Sequence, residues 1–182
     1  MKQIILALVY TALIAGSCKK NNDKSPIEQL PPETQTGANT FGCLIDGKAF
    51  IPKGDPFGGP IKKAFYQFVN GKYVFGISAR RSENESSQVV GIGGDSIQIT
   101  VGAFDLASVG SGKMAGGYTY RDLSNLGGIQ YGTTEVHRGQ LVIKKFDTLN
   151  QIVSGTFWFD AINASGQKIE VREGRFDLPY VR

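Results

Sequence analysis

Short runs of alternating apolar and polar residues, separated by glycine-containing turns, constrain the fold of this chain more than any other feature. In residues 155–162 the side chains of Phe157, Phe159 and Ala161 fall on one side and polar or amphipathic side chains fall on the other. Such a period of two is typical of a half-buried β-strand. No window of a dozen residues after residue 39 repeats the 3.6-residue stripe of an amphipathic helix, so the sequence predicts an all-β body.

Turn dipeptides divide the body into strands. Asp46-Gly47 and Asn70-Gly71 each lie between two apolar runs and tolerate the positive φ angles of a two-residue hairpin turn. Two glycine-rich stretches, 54–60 and 109–117, predict loops. The predicted strands are 41–45, 49–51, 64–69, 72–79, 88–92, 96–104, 118–120, 139–146, 155–162 and 168–172, with a last strand through Phe176 and Leu178.

Eight to ten strands of this kind leave two architectures open. We favour an antiparallel two-sheet β-sandwich, and the alternative is a closed, lipocalin-like β-barrel. Both bury one face of every strand, so the period alone does not separate them. A barrel with an internal cavity would favour a carrier of lipid or of another small apolar ligand.

The N-terminus predicts export and a lipid anchor. Lys2 precedes an apolar run over residues 4–15, and small residues lead to Cys18, which is the arrangement of a lipoprotein signal peptide. We expect residues 1–17 to be removed and Cys18 to carry acyl chains that attach the protein to a membrane. A retained transmembrane helix is the first alternative, but the run is shorter than the roughly 20 residues that span a bilayer. A soluble secreted protein cut elsewhere is the second.

Composition bears on the linker, on nucleic acid as a partner and on the cysteines. Residues 18–39 contain few large apolar residues and predict a flexible, solvated linker, so the folded domain is expected at 40–182. The formal net charge of +4 is small and scattered, which argues against nucleic acid as a partner. Once Cys18 is acylated, Cys43 has no partner for a disulfide, and its apolar neighbours favour a buried thiol over a reactive one.

Two segments carry a resemblance to a known family. The opening from Thr36 to Cys43 followed by Asp46-Gly47-Lys48-Ala49-Phe50, and the later run from Gly139 through residues 154–161 to Gly174-Arg175-Phe176-Asp177, resemble a family of Bacteroidota lipoproteins with a domain of unknown function. The resemblance implies export and residence in the cell outer membrane, and it assigns no activity. Lys19-Lys20 stands where surface-displayed members tend to carry acidic residues, so the side of the membrane that the body faces stays open.

The same resemblance implies two candidate modification sites. Bacteria of this phylum attach glycans to a Ser or Thr that follows Asp and precedes an aliphatic residue. Asp95-Ser96-Ile97 and Asp147-Thr148-Leu149 are similar to that pattern. Ser96 and Thr148 are therefore candidates for O-glycosylation, although a three-residue motif often arises by chance.

The chain offers little for catalysis. His137 is its single histidine, so the chain can supply a histidine general base to one nucleophilic site at most. It also has too few metal-ligating residues at the spacing of a zinc site. We expect no metal, no cofactor and no enzymatic activity. Asp160 with Glu170 or Glu173 could face each other across strands, which leaves a carboxylate-dependent hydrolase as a remote alternative.

Aromatic residues are the one feature that favours binding. Flat rings bury a large area at low entropic cost and form surfaces for sugars or peptides. Packing within the sheet is the competing interpretation, because aromatic residues are common in strands. We therefore expect a binding or structural module of the cell envelope with a protein or glycan partner. The candidate binding aromatics are Tyr66, Tyr118, Tyr120, Tyr131 and Trp158.

Overall fold

The computed structural model describes residues 24–54, 59–124 and 127–182. Apart from one short 3-10 turn at Ile27–Gln29, the regular structure in this part of the chain consists of β-strands. The strands are β1 (Thr40–Ile45), β2 (Lys48–Phe50), β3 (Lys62–Val69), β4 (Lys72–Glu83), β5 (Ser86–Asp95), β6 (Gly102–Leu106), β7 (Met114–Asp122), β8 (Gly128–Gly132), β9 (Gly139–Asp147), β10 (Ile152–Ile162) and β11 (Lys168–Pro179). The prediction of an all-β protein is confirmed.

Both predicted hairpins form. Asp46 and Gly47 have φ angles of 47° and 76°, and β1 pairs with β2 on either side of them. Asn70 and Gly71 have φ angles of 50° and 81° and join β3 to β4, which pair in register from Lys62 with Ala79 onward. Positive φ at both central residues matches the twist of the flanking strands, which is why these dipeptides specify the turns.

The strands belong to one continuous sheet rather than to the two sheets of a sandwich. Five strands close a circuit: β6 pairs with β9, β9 with β10, β10 with β8, β8 with β7, and β7 with β6. The closed-barrel alternative therefore describes the fold, and the favoured sandwich does not. Strands β11, β1 and β2 extend the sheet beyond β10, while β5, β4 and β3 extend it beyond β7.

One apolar core fills the space that the curled sheet encloses. Alternate residues of β10, namely Phe157, Phe159 and Ala161, point into it as their period predicts, together with Leu141 and Ile143 of β9. These side chains are almost completely removed from water, so each contributes the full hydrophobic free energy of its burial. The core holds the barrel wall rigid and leaves the outer face of β9, β10 and β11 to solvent and to the N-terminal segment.

One predicted strand is misplaced. Residues 96–101 do not join a ladder, and β6 begins only at Gly102. Ser96 has a φ angle of 58°, which ends β5 and turns the chain away from the sheet. Ile97 and Ile99 nevertheless pack on the core, so their alternation reflects burial rather than strand pairing. The predicted loop 109–117 is also shorter than expected, because β7 starts at Met114.

The second half of the predicted linker lies on the barrel. Residues 24–39 are described, and Leu30 is buried. The following segment folds around the carboxylate of Asp177 in β11, which accepts hydrogen bonds from the backbone N–H groups of Thr36, Gly37 and Ala38 at 2.9, 2.9 and 3.0 Å and from the Thr34 hydroxyl at 2.7 Å. The folded body thus begins near Leu30 and not at residue 40. We call residues 30–38 the clasped segment.

In the three described ranges, no helix is long and apolar enough to cross a membrane. The predicted signal peptide and Cys18 lie outside the described residues.

Candidate binding cleft

Trp158 is a large aromatic side chain that a central strand of the barrel presents to solvent. Its neighbours Phe157 and Phe159 point into the core, so the pleat of β10 directs the indole outward, where it is 44 % exposed. The part of the ring that faces water can contact a ligand beside the Arg172 guanidinium, which lies over the ring.

A β-bulge in β11 shapes the surface beside Trp158. Phe157 pairs with Gly174 and Phe159 pairs with Val171, so two residues of β11 face the single residue Trp158. One of the two, Glu173, has a φ angle of 54°. Gly174 is required here because a Cβ atom would lie 2.5 Å from the Phe157 ring. Bulges re-aim side chains, and the Arg172 guanidinium of this one lies over the indole ring.

The indole forms part of an open cleft of about 360 Å³ on the outer face of β9, β10 and β11. That volume lies within the range of small-molecule sites, roughly 300 to 1,000 Å³. Gln140 is the cross-strand partner of Trp158, and Thr156 lies two residues before it on the same face. The cleft therefore combines one flat apolar surface with an amide and a hydroxyl that can donate and accept hydrogen bonds.

Charged side chains surround the indole. The cations are Lys144, Arg172 and Arg175, and the carboxylates are Glu33 and Glu173. The Arg172 guanidinium lies 5.5 Å from the indole centroid, and Arg175 contacts Glu173 at 3.1 Å. Lys144 forms an ion pair with Glu33, which belongs to the clasped segment. The N-terminal segment thus supplies one wall of the cleft.

The structure does not bring the predicted aromatic residues together in one surface. Tyr66 stacks on Tyr73 with centroids 5.0 Å apart and meets Phe146 edge to face at 5.4 Å, so its ring is already occupied by intramolecular packing. Trp158 lies on β10, apart from this cluster in the strand order.

Tyr118, Tyr120 and Tyr131 form a third group on β7 and β8. Tyr118 is only 9 % exposed and packs against Tyr131 at 5.8 Å, and burial raises the pKa of its hydroxyl to about 12. Tyr120 is partly exposed, and with Tyr118 it lines a cleft of about 520 Å³ beside Gln29. Tyr118 is used for packing, and Tyr120 is 37 % exposed against 44 % for Trp158, so Trp158 is the stronger candidate for ligand contact.

The carboxylates considered for hydrolysis belong to an ion-pair network. Asp160 and Glu170 are directly opposite on β10 and β11, as the sequence suggested. The Arg172 guanidinium lies 2.6 Å from the Asp160 carboxylate and 3.3 Å from that of Glu170. The Lys168 ammonium lies 3.6 Å from the Asp160 carboxylate and 2.7 Å from that of Glu170. The hydrogen bond from Lys168 and the charge of Arg172 lower the pKa of Glu170. A general acid needs a raised pKa, so this arrangement does not favour acid catalysis.

The remaining reactive side chains do not form a site. Cys43 is fully buried with a free thiol, and burial raises its pKa, which suppresses the nucleophilic thiolate. His137 is half-buried in a turn, where its Nδ1 lies 3.4 Å from the Thr134 hydroxyl. Within residues 24–54, 59–124 and 127–182, no three His, Cys, Asp or Glu side chains are grouped to hold a metal ion.

Both candidate glycosylation residues are exposed. Ser96 directly follows β5, and its hydroxyl accepts a hydrogen bond from the Ser111 hydroxyl at 3.0 Å. Thr148 lies in the turn between β9 and β10, where Asp147 accepts hydrogen bonds from the backbone N–H groups of Leu149 and Asn150. A hydrogen bond from the Asn150 side chain, together with these backbone hydrogen bonds, lowers the pKa of Asp147 to about 2.

Several residues of the cleft were not singled out from the sequence as binding residues. Arg172, Gln140 and Lys144 are ordinary polar positions of alternating strands, and only the strand register places them around Trp158. A search for polar residues that share the outer face with Trp158 would have found Gln140 once β9 was paired with β10. Glu33 had no such signal, because its position depends on contacts with residues more than 100 positions away.

Comparisons with protein-family models, with curated proteins and with solved structures gave no match to this chain.

Proposed function

We propose that this protein is a lipid-anchored module of the cell envelope that binds a glycan in the Trp158 cleft and catalyses no reaction. The observation that carries the binding role is the exposed indole on a rigid strand, bordered by Gln140, Thr156 and Arg172. A sugar ring presents a face of C–H groups and a rim of hydroxyls. The indole suits the first, and the amide, hydroxyl and guanidinium groups suit the second.

The proposed location rests on the sequence of the N-terminus. The charged start, the apolar run and the small residues before Cys18 support export and acylation, and the resemblance to Bacteroidota lipoproteins supports the outer membrane. In this proposal the membrane partner is reached through the acyl chains on Cys18. About ten residues then separate that anchor from the clasped segment, which at roughly 3.3 Å per extended residue sets an upper limit of about 40 Å on their separation.

The anchor is tested by labelling cells with a radioactive fatty acid. Wild-type protein should incorporate label, and Cys18→Ala should incorporate none, because the thiol is the proposed acylation point. Cys43→Ala is the matched control and should stay labelled, since that thiol is buried in the barrel. Label retained by Cys18→Ala would refute the anchor at this residue.

The binding role is tested by screening the purified full chain against a panel of neutral and acidic oligosaccharides. Loss of the indole should weaken binding of any captured glycan by about tenfold or more in Trp158→Ala, because the ring supplies the apolar contact. Tyr120→Ala removes another exposed strand aromatic outside the cleft and should bind within about twofold of wild type. Equal loss in both variants, or no binding by wild type, would contradict the proposal.

A further inference from the structure

We infer that the Trp158 cleft selects acidic glycans, and that the Glu33 carboxylate occupies the place of the ligand carboxylate on Lys144 when no ligand is bound. This inference rests on the proposed glycan binding and names the class of glycan. It makes Glu33 an internal competitor for the ligand.

One cation of the cleft, Lys144, supports an acidic ligand. Three cations and two carboxylates line the cleft, and each cation has a carboxylate partner. Arg175 contacts Glu173, two residues before it in β11, and Arg172 is held by Asp160 and by the backbone carbonyls of Phe159 and Val171. These arginines are fixed by the sheet. Lys144 differs, because its carboxylate partner arrives from a separate segment of the chain.

The Lys144–Glu33 ion pair is exchangeable. Both side chains are more than a third exposed, and ion pairs of that kind contribute little stability. The carboxylate of a hexuronate would replace the Glu33 carboxylate on the Lys144 ammonium. Lys144 would therefore keep one ion pair after the exchange. A neutral sugar offers no such group.

The backbone around Glu33 lets the exchange occur by side-chain rotation alone. Leu30 is buried on one side of Glu33, and Asp177 binds residues 34–38 on the other side. The clasped segment therefore stays in place when the Glu33 carboxylate leaves Lys144. The indole and Gln140 beside this ion pair favour a glycan over an acidic peptide, because both suit the C–H face and hydroxyl rim of a sugar.

The test compares ligands of equal length on the full chain by calorimetry at low ionic strength: an oligogalacturonate, a neutral oligoglucan, a sulfated oligosaccharide and an oligoglutamate peptide. We expect the oligogalacturonate to bind most tightly. Glu33→Gln should raise its affinity by about two- to fivefold, as loss of an exposed competing ion pair would. Lys144→Gln should lower that affinity by a similar factor, and neither variant should alter any binding of the neutral glucan.

Glu85→Gln is the matched control, because it removes one exposed carboxylate outside the cleft. Its affinity for oligogalacturonate should match that of wild type. An equal gain in Glu85→Gln, no gain in Glu33→Gln, or tighter binding of the neutral, sulfated or peptide ligand would overturn the inference. Trp158-dependent binding of a neutral glycan would retain the proposed function without this inference, whereas failure of every glycan to bind would remove both.

Discussion

Two carboxylates hold the clasped segment to the barrel, and they do so by different means. Asp177 is 0 % exposed and accepts hydrogen bonds from three backbone N–H groups and a hydroxyl of residues 34–38. Glu33 contributes one exposed ion pair with Lys144. The Asp177 carboxylate is buried and charged, so its hydrogen bonds are shielded from competing water, whereas the exposed ion pair of Glu33 is screened by it.

One segment thus contributes to the fold and, in the proposed function, to binding. The Asp177 contacts fix the backbone, so the segment is part of the fold. The Glu33 contact is an exposed ion pair, which adds little stability, so in the proposed function its carboxylate can exchange with a ligand.

The largest expected effect comes from removing the buried acceptor. Asp177→Ala leaves three backbone N–H groups and the Thr34 hydroxyl without their partner, and we expect the free energy of unfolding to fall by about 3 kcal/mol. Urea unfolding followed by circular dichroism measures this. A loss below about 0.5 kcal/mol would show that the clasped segment is not held by Asp177.

The same carboxylate makes stability depend on pH. Burial opposes ionisation of Asp177, but the hydrogen bonds from Thr34, Ala38, Gly37 and Thr36 outweigh it and lower the pKa below its ordinary value of about 3.9. A lowered folded-state pKa gives stability that is complete above about pH 3.9 and is lost as the pH falls through the folded-state value. The stability difference between wild type and Asp177→Asn should therefore be constant from pH 5 to 7 and shrink at lower pH. If this stability difference grew at lower pH, the predicted direction of the pH dependence would be wrong.

The smallest expected effect comes from the exposed carboxylate. Glu33→Gln should change the free energy of unfolding by less than about 0.5 kcal/mol, because exposed ion pairs are screened by water and salt. The same urea experiment measures it beside Asp177→Ala. If the two variants lose similar stability, Glu33 is a structural residue and not an exchangeable one.

The sequence predicts the parts of this fold that depend on local chemistry. The turns at Asp46-Gly47 and Asn70-Gly71 and the two faces of β10 are confirmed, since φ preferences and a period of two act over a few residues. The closure of the sheet depends on pairings such as Ile162 with Gly132, which no local pattern specifies. Strand β8 was missed because only Ile129 and Tyr131 alternate in it, between two glycines, which is too short a pattern to indicate a strand.

The candidate site is predictable only in part. Trp158 was identified as a candidate binding residue with an outward direction, and the register then adds Gln140 and Arg172. Glu33 and the clasped segment were assigned to a solvated linker because they contain few large apolar residues. Their contacts with Asp177 and Lys144, more than 100 residues away, leave no signal in the local composition. The role of Asp177 is likewise visible only when residues 34–38 lie over β11.

The most direct test of glycan binding at Trp158 uses the fact that this is the single tryptophan of the chain. Oligogalacturonate is titrated into the full chain while indole fluorescence and heat are recorded in parallel. The account predicts a saturable change in emission that gives the same dissociation constant as calorimetry. Heat of binding with unchanged emission would contradict binding at Trp158, and no binding by either measurement would contradict selection of an acidic glycan.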